Sequence, residues 1–245
     1  MNAILRFYGP LNDFLPSERR GRAFSYAFFA PGSVKDMIEA AGVPHPEVDL
    51  ILANGASVDF SYIVRDCDRI AVYPAFHSIR IDSLLQLRPQ PERLCFVLDT
   101  HLGVLAGYLR MLGFDAFYRN DYDDEELACI SSRENRLLLT RDRELLKRRE
   151  VLYGYFVRHT APRQQLQEVV QRYGLLPLIK PFLRCIRCNG PLRTIRKESV
   201  RDLLPERTAT YFDSFTICDS CGRVYWEGSH FQRMKRFLAE TLRSA

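Results

Sequence analysis

Residues 94–118 read LCFVLDTHLGVLAGYLRMLGFDAFY, and the order of residue types in this stretch decides the architecture. Leu94–Leu98 is an apolar run of strand length. Leu102, Leu105, Ala106, Leu109 and Leu112 then recur at helical spacing over Thr100–Leu112, and Gly113 ends that helix. Asp115–Tyr118 reads as a short strand, Asp124–Glu134 as a helix, Leu137–Thr140 as a strand and Asp142–Arg149 as a further helix. A fourth strand is expected over Val151–Val157 and a final helix over Pro162–Tyr173, with proline in its first turn. Strands alternating with helices of about ten residues predict a parallel sheet flanked by helices, an α/β domain over residues 93–178.

That alternation gives three aspartates a shared meaning. Asp99 follows the first strand directly, and Asp142 follows the third in Leu139-Thr140-Arg141-Asp142. In a parallel sheet the strand C-termini share one edge, where open α/β sheets bind ligands. Asp124 opens a helix between those strands and is within reach of the same edge. Three carboxylates there would repel one another strongly without a cation, and hard oxygen ligands suit Mg²⁺ or Mn²⁺. Such a site supports phosphodiester hydrolysis, with Arg141 placed to clamp a phosphate oxygen and Thr100 to orient a carboxylate or a water. Each residue also has a structural use. Asp123 with Glu126 matches a capping-box spacing, with aspartate in place of Ser/Thr, and Asp142 suits a helix N-terminus. Asp99 is the hardest of them to assign to structure, because it ends an apolar strand. His101 beside it reads as a substrate-facing or a helix-surface residue.

The segment before residue 81 has a different rhythm. Strand-like runs at Ala3–Tyr8 and Phe24–Phe29 precede a short helix, Val34–Ala41, that Ser33 can cap. Leu50-Ile51-Leu52 leads into Asn54-Gly55, a hairpin turn signal, and Arg69–Tyr73 closes the unit. This order predicts a β-grasp domain over residues 1–80, and it resembles the small ubiquitin-like sulfur carriers. Those carriers act through a free Gly-Gly tail, whereas here the last strand runs into Pro74-Ala75-Phe76 and the chain continues. A docking or stabilising module, with a possible protein partner, is the expectation. Residues 77–92 include Arg88-Pro89-Gln90-Pro91-Glu92 and read as a linker.

Beyond Lys180 the sequence is short-ranged, turn-rich and cysteine-bearing, ending in a helix expected over Phe231–Leu242. Cys185-Ile-Arg-Cys188-Asn-Gly190 and Cys218-Asp-Ser-Cys221-Gly222 form two matched knuckles about thirty residues apart. Four thiolates suit a closed tetrahedral zinc site, so residues 180–245 are expected to form a zinc ribbon with a C-terminal helix. Arg184, Arg187, Arg193, Arg196 and Lys197 are candidate phosphate contacts, with a solvated face as the alternative. Tyr225, Trp226 and Phe231 suit either base stacking or the ribbon's own core, and His230 a structural place.

Of the 245 residues, 47% are apolar and 27% charged, a normal globular balance. Arg6 interrupts the N-terminal apolar run, and no apolar stretch reaches membrane-span length, so a soluble, cytoplasmic protein is expected. Seven cysteines, an odd number, argue against a secreted disulfide framework, and Cys67, Cys95 and Cys129 are expected to be buried and inert. Residues 1–80 carry a net charge of −1 and residues 81–245 a net charge of +6, so a polyanion partner is expected for the latter.

Four quoted stretches resemble the Mut-seven C-terminal ribonuclease family: Asp99-Thr-His-Leu-Gly103-Val-Leu-Ala106, Leu109-Arg110-Met-Leu-Gly113-Phe-Asp115, Asp124-Glu-Glu-Leu127 and Leu139-Thr140-Arg141-Asp142-Arg143. The cysteine pairs with Tyr225-Trp226-Glu-Gly228-Ser-His230 resemble the C-terminal portion of that family. Residues 1–80 are similar to the ubiquitin-like domain often fused ahead of it. The resemblance implies a PIN-like fold, an acidic Mg²⁺/Mn²⁺ site at Asp99, Asp124 and Asp142, and an RNA substrate. Glu144 stands where related families often carry a further aspartate. Two other readings stay open: a non-catalytic RNA-binding or adaptor protein with the aspartates as helix caps, and a DNA nuclease.

Overall fold

A computed structural model describes residues 1–75, 85, 87, 88, 91 and 93–243. Most of the linker expected at 77–92 lies outside the described residues. The chain divides into two compact units that do not follow chain order, Met1–Arg93 with Asp123–Phe156, and Leu94–Tyr122 with Val157–Ala245.

In the first unit, β1 (Asn2–Phe7) alternates exposed and buried residues, so Ala3, Leu5 and Phe7 face a core while Arg6 and its alternate neighbours face out. It pairs antiparallel with β2 (Phe24–Ala27) and parallel with β5 (Arg69–Tyr73). β3 (Leu50–Ala53) and β4 (Ala56–Ser57) complete a sheet of order β2-β1-β5-β3-β4. Asn54 and Gly55 both take positive φ (51° and 88°), as a two-residue hairpin turn requires. Helix α1 (Val34–Ala40) starts where the Ser33 hydroxyl accepts the Asp36 N–H at 3.1 Å, and it lays Val34, Met37 and Ile38 on the sheet. Asp68, buried at the start of β5, is held by Asn54, the Tyr62 hydroxyl and the Arg65 N–H. Burial pushes its carboxyl up, but these hydrogen bonds prevail and lower it.

The same unit includes α3 (Asp124–Arg133), β8 (Leu137–Thr140), α4 (Arg143–Lys147) and β9 (Gly154–Phe156), with β8 and β9 parallel. The expected strand over Val151–Val157 shortens to three residues, because Leu152 and Tyr153 form a bend before it. A turn at His45–Glu47 fastens this part to the N-terminal sheet. The Glu47 carboxylate, 1% exposed, accepts the Phe156 N–H at 2.7 Å. His45 places Nδ1 2.6 Å from Glu39 and Nε2 2.9 Å from the Val151 carbonyl. Phe14 meets Phe156 edge-on at 5.5 Å. Arg88, one of the described linker residues, pairs with Asp49 and donates to the Pro46 carbonyl.

In the second unit, β6 (Phe96–Leu98) pairs parallel with β7 (Ala116–Phe117). The helix expected from Thr100 opens as a 3-10 turn, Thr100–Leu102, and continues as α2 (Gly103–Met111), which packs on α5 (Pro162–Arg172). Gly113 takes φ +95°, and a Cβ there would lie 2.0 Å from the Lys180 carbonyl oxygen. Only glycine lets the chain at 180–182 dock on the end of α2, where Lys180 and Phe182 donate to the Leu112 and Met111 carbonyls. Three short strands, β10 (Leu192–Ile195), β11 (Phe215–Cys218) and β12 (Val224–Trp226), form an antiparallel sheet. Helix α6 (Glu206–Tyr211) lies between β10 and β11, and α7 (Ser229–Leu242) starts two residues before its expected first turn.

Cys67 and Cys129 are exposed and Cys95 is partly so, which corrects the expectation of buried thiols. Cys67 sits in the turn before β5 at φ +67°, and Cys129 on the outer side of α3. Among the described residues no helix is long and apolar enough to cross a membrane.

Replacing Glu47 by alanine leaves the Phe156 N–H without this acceptor inside the unit, at an expected cost of about 2 kcal/mol. Urea denaturation of the full chain should show a midpoint lowered accordingly; an unchanged midpoint would remove Glu47 from the account of how these segments are held.

Candidate metal centre and acidic residues

Cys185, Cys188, Cys218 and Cys221 converge, with all four sulfurs within 4.8 Å of one another. The Cys185–Cys221 separation is 3.7 Å and the Cys188–Cys218 separation 3.4 Å. Sulfurs about 2.3 Å from a tetrahedral ion would be about 3.8 Å apart, so the cluster has the size of a four-thiolate site. The first knuckle closes when the Asn189 N–H reaches the Cys185 carbonyl at 2.9 Å, and Cys218 is the last residue of β11. Gly190 is required by space, because a Cβ there would stand 2.9 Å from the Cys218 sulfur.

Electrostatics single out one sulfur as ready to ionise. Burial pushes the Cys185 thiol up, but the Tyr225 hydroxyl at 3.0 Å and the backbone N–H groups of Cys188 and Arg187 outweigh it and bring it down to about 6. Cys188 is pushed up to about 12, by burial and by sharing protons with the other sulfurs. Burial and the sulfur of Cys185 likewise raise the Tyr225 hydroxyl. Negative charge on several sulfurs at this spacing needs a cation, which is what a bound metal ion provides.

The knuckle is aimed by Arg110, which the periodicity of α2 alone did not single out. Its guanidinium is 5% exposed and donates to the carbonyls of Ala116 (2.8 Å), Ile186 (3.1 Å) and Arg187 (3.0 Å). With those carbonyls turned towards Arg110, the N–H groups of the turn are left for sulfur. Burial pulls the guanidinium below its usual value, opposed by Cys188, Cys185 and Asp115. Asn189 extends the clamp, accepting the Ala116 N–H at 3.0 Å and donating to Asp115 at 2.8 Å. The available sequence signal was a charged side chain next to Leu109 within an apolar stripe.

Of the candidate phosphate contacts, Arg184 is committed inward, to Asp115 at 3.2 Å and to the Asn189 carbonyl. Arg193 pairs with Asp219 and Lys197 with Asp213, whereas Arg187 and Arg196 are exposed. His230 is exposed at the start of α7.

The acidic candidates stand as follows. Asp99 follows β6 at 7% exposure and stands at the N-cap of the 3-10 turn without a side-chain capping bond, and the Thr100 hydroxyl donates to it at 3.1 Å. Asp142 caps α4, its Oδ1 accepting the N–H groups of Glu144 (2.7 Å) and Leu145 (3.3 Å). Asp124 is the exposed first residue of α3, whose cap is Asp123 through the Glu126 N–H at 2.8 Å. Arg141 is half-buried beside the fully buried Thr140, and Glu144 pairs with Lys147.

A family model described as the Mut7-C RNAse domain matches residues 94–238, and one described as Mut7-C ubiquitin matches residues 1–80. No curated protein and no solved structure matches.

The Cys185 thiolate favours the folded state above the ordinary thiol value of 9.0 and loses that contribution as pH falls through about 6. Purified protein is expected to carry one zinc ion per chain and to release it to a colorimetric chelator as acid protonates the sulfurs. Arg110→Met should speed release at neutral pH. A preparation without stoichiometric metal, or release indifferent to acid, would contradict a four-thiolate site.

Proposed function

The chain belongs to the Mut7-C RNAse family, and from that premise we propose that it is a metal-dependent ribonuclease with a PIN-like site at Asp99, Asp124 and Asp142. The observation that carries the reading is Asp99, a carboxylate at the end of an apolar strand, nearly excluded from water and making no side-chain capping bond to the turn that follows. A buried carboxylate at a strand end, where an α/β sheet places ligand-facing groups, is a natural ligand for a hard cation. A magnesium or manganese ion held by the three aspartates would favour attack by water on the scissile phosphate and neutralise charge on the leaving oxygen. The chain's own part is to hold and orient. Thr100 fixes the rotamer of Asp99, Asp142 keeps Oδ2 outside its two capping bonds, and Arg141 clamps a non-bridging phosphate oxygen.

The four cysteines hold zinc in a ribbon that helps retain RNA, with exposed Arg187 and Arg196 and ion-paired Arg184, Arg193 and Lys197 contributing positive charge. The domain over 1–80 acts as a docking or stabilising module, ahead of a nuclease domain over 93–178 and the ribbon over 180–245. Free thiols at Cys67 and Cys129 suit a reducing, cytoplasmic setting. A second reading, an RNA-binding protein without catalysis, draws on the capping bonds of Asp123 and Asp142.

Incubating single-stranded RNA with the protein and Mn²⁺ is expected to give cleavage that Asp99→Asn lowers by about 10²-fold or more, the scale on which removing one electrostatic stabiliser acts. Binding without cleavage by either protein supports the second reading, and undiminished cleavage by the variant removes Asp99 from the site. Single-stranded DNA run in parallel decides which sugar is tolerated.

A further inference from the structure

The three-stranded sheet and α7 do not close on one another. Between them lies an open cavity of about 700 Å³, walled by Phe215 and Trp226 on the sheet side and by Phe231, Met234 and Leu238 on the helix side. A second cavity of about 640 Å³ shares Tyr225, Trp226, Phe231 and Met234. These four half-buried side chains therefore stand between two spaces, each on the scale of a small-molecule site. Aromatic walls around open spaces of this size make them candidate binding clefts.

Resting on the ribonuclease reading, we infer that these cavities seat the bases of a single-stranded RNA, with Trp226 and Phe231 as the stacking surfaces. Three features fix the chemistry of the occupant. The walls offer ring faces, which any base matches. Thr194, Ser214 and Thr216 bring hydroxyls to the first cavity, suited to the polar edges of bases. Lys235 lines the same cavity, and α7 with the residue after it carries Arg233, Lys235, Arg236 and Arg243 against the single acid Glu240, a surface for a phosphate backbone. The platform is also held in shape from behind: Tyr225 reaches the Cys185 sulfur, Cys218 ends β11, and Phe231 packs on Phe182 with ring centroids 4.4 Å apart. Pre-organised rings lose little freedom when bases stack on them.

Trp226 is the chain's one tryptophan, so its emission reports on the cavity directly. With the Asp99→Asn protein, which leaves RNA intact, titration with a twelve-residue oligouridylate is expected to quench that emission, less so as salt rises. Phe231→Ala should weaken binding about 5- to 100-fold, the range for losing one stacked base. In protein with Asp99 intact, the same change should raise KM for cleavage and spare kcat. Lys235→Glu, on the exposed side of the helix, should weaken binding with an unchanged circular dichroism spectrum, and it decides the matter if Phe231→Ala fails to fold. Cleavage accompanied by unmoved emission and by variants that bind normally overturns the inference and leaves the nuclease reading standing. Quenching without cleavage does the reverse, and emission unmoved at any RNA concentration overturns the inference as well.

Discussion

Four thiolate sulfurs within 4.8 Å of each other would demand positive charge, and the chain beyond Lys180 is arranged around them. Three strands of three or four residues bury too little apolar surface to fix one another. A metal bound by the four sulfurs would replace the missing core, and the cluster in turn is aimed by a buried arginine on a helix more than seventy residues earlier. The dependence runs both ways. Arg110 is tolerable at 5% exposure because Ala116, Ile186 and Arg187 supply carbonyls and the sulfurs supply compensating charge. A metal at the cluster would keep the sulfurs negative beside this cation, so its loss would be felt by α2 as well as by the knuckles.

In the other unit the comparable constraint is the turn at His45–Glu47. The five-stranded sheet has its own apolar core, built on alternation in β1 and the inward stripe of α1. The buried Glu47 carboxylate and His45 ring reach beyond that core to backbone groups of residues 151–156. A β-grasp module tethered only by a linker would need neither. Two buried polar groups whose hydrogen-bond partners lie about a hundred residues on in sequence make the module part of the compact unit, which is the physical basis for a stabilising role.

Local pattern made most elements legible. The strand over Leu137–Thr140 has the expected bounds, Asp123 accepts the Glu126 N–H as a cap, and Asn54-Gly55 forms a hairpin turn, although the strand it leads into, Ala56–Ser57, was not expected. Chemistry carried by spacing was legible too, since two CxxC pairs state their purpose at any distance. What stayed hidden depends on partners far along the chain. β10 and β11 are amphipathic over too few residues to give a period, and α6 is a single turn and a half. Arg110 drew no role from the sequence, because helical periodicity reports apolar faces and is blind to carbonyls supplied from residues 186 and 187. Cys67 and Cys129 were misjudged by composition, because a small apolar-leaning side chain carries no information about which way its helix or turn faces.

Helix capping and metal binding by Asp142 are compatible uses of one side chain. Both capping bonds fall on Oδ1, and a capped carboxylate is fixed in direction. A ligand for a hard cation needs those same properties: a fixed direction, an oxygen left to reach the ion and little rotamer freedom to lose. Asp99 reaches the same condition by another route, through burial at a strand end with a hydroxyl donor beside it. The capping bonds therefore do not count against catalysis. They are a means by which a short helix can hold a carboxylate ready for an ion.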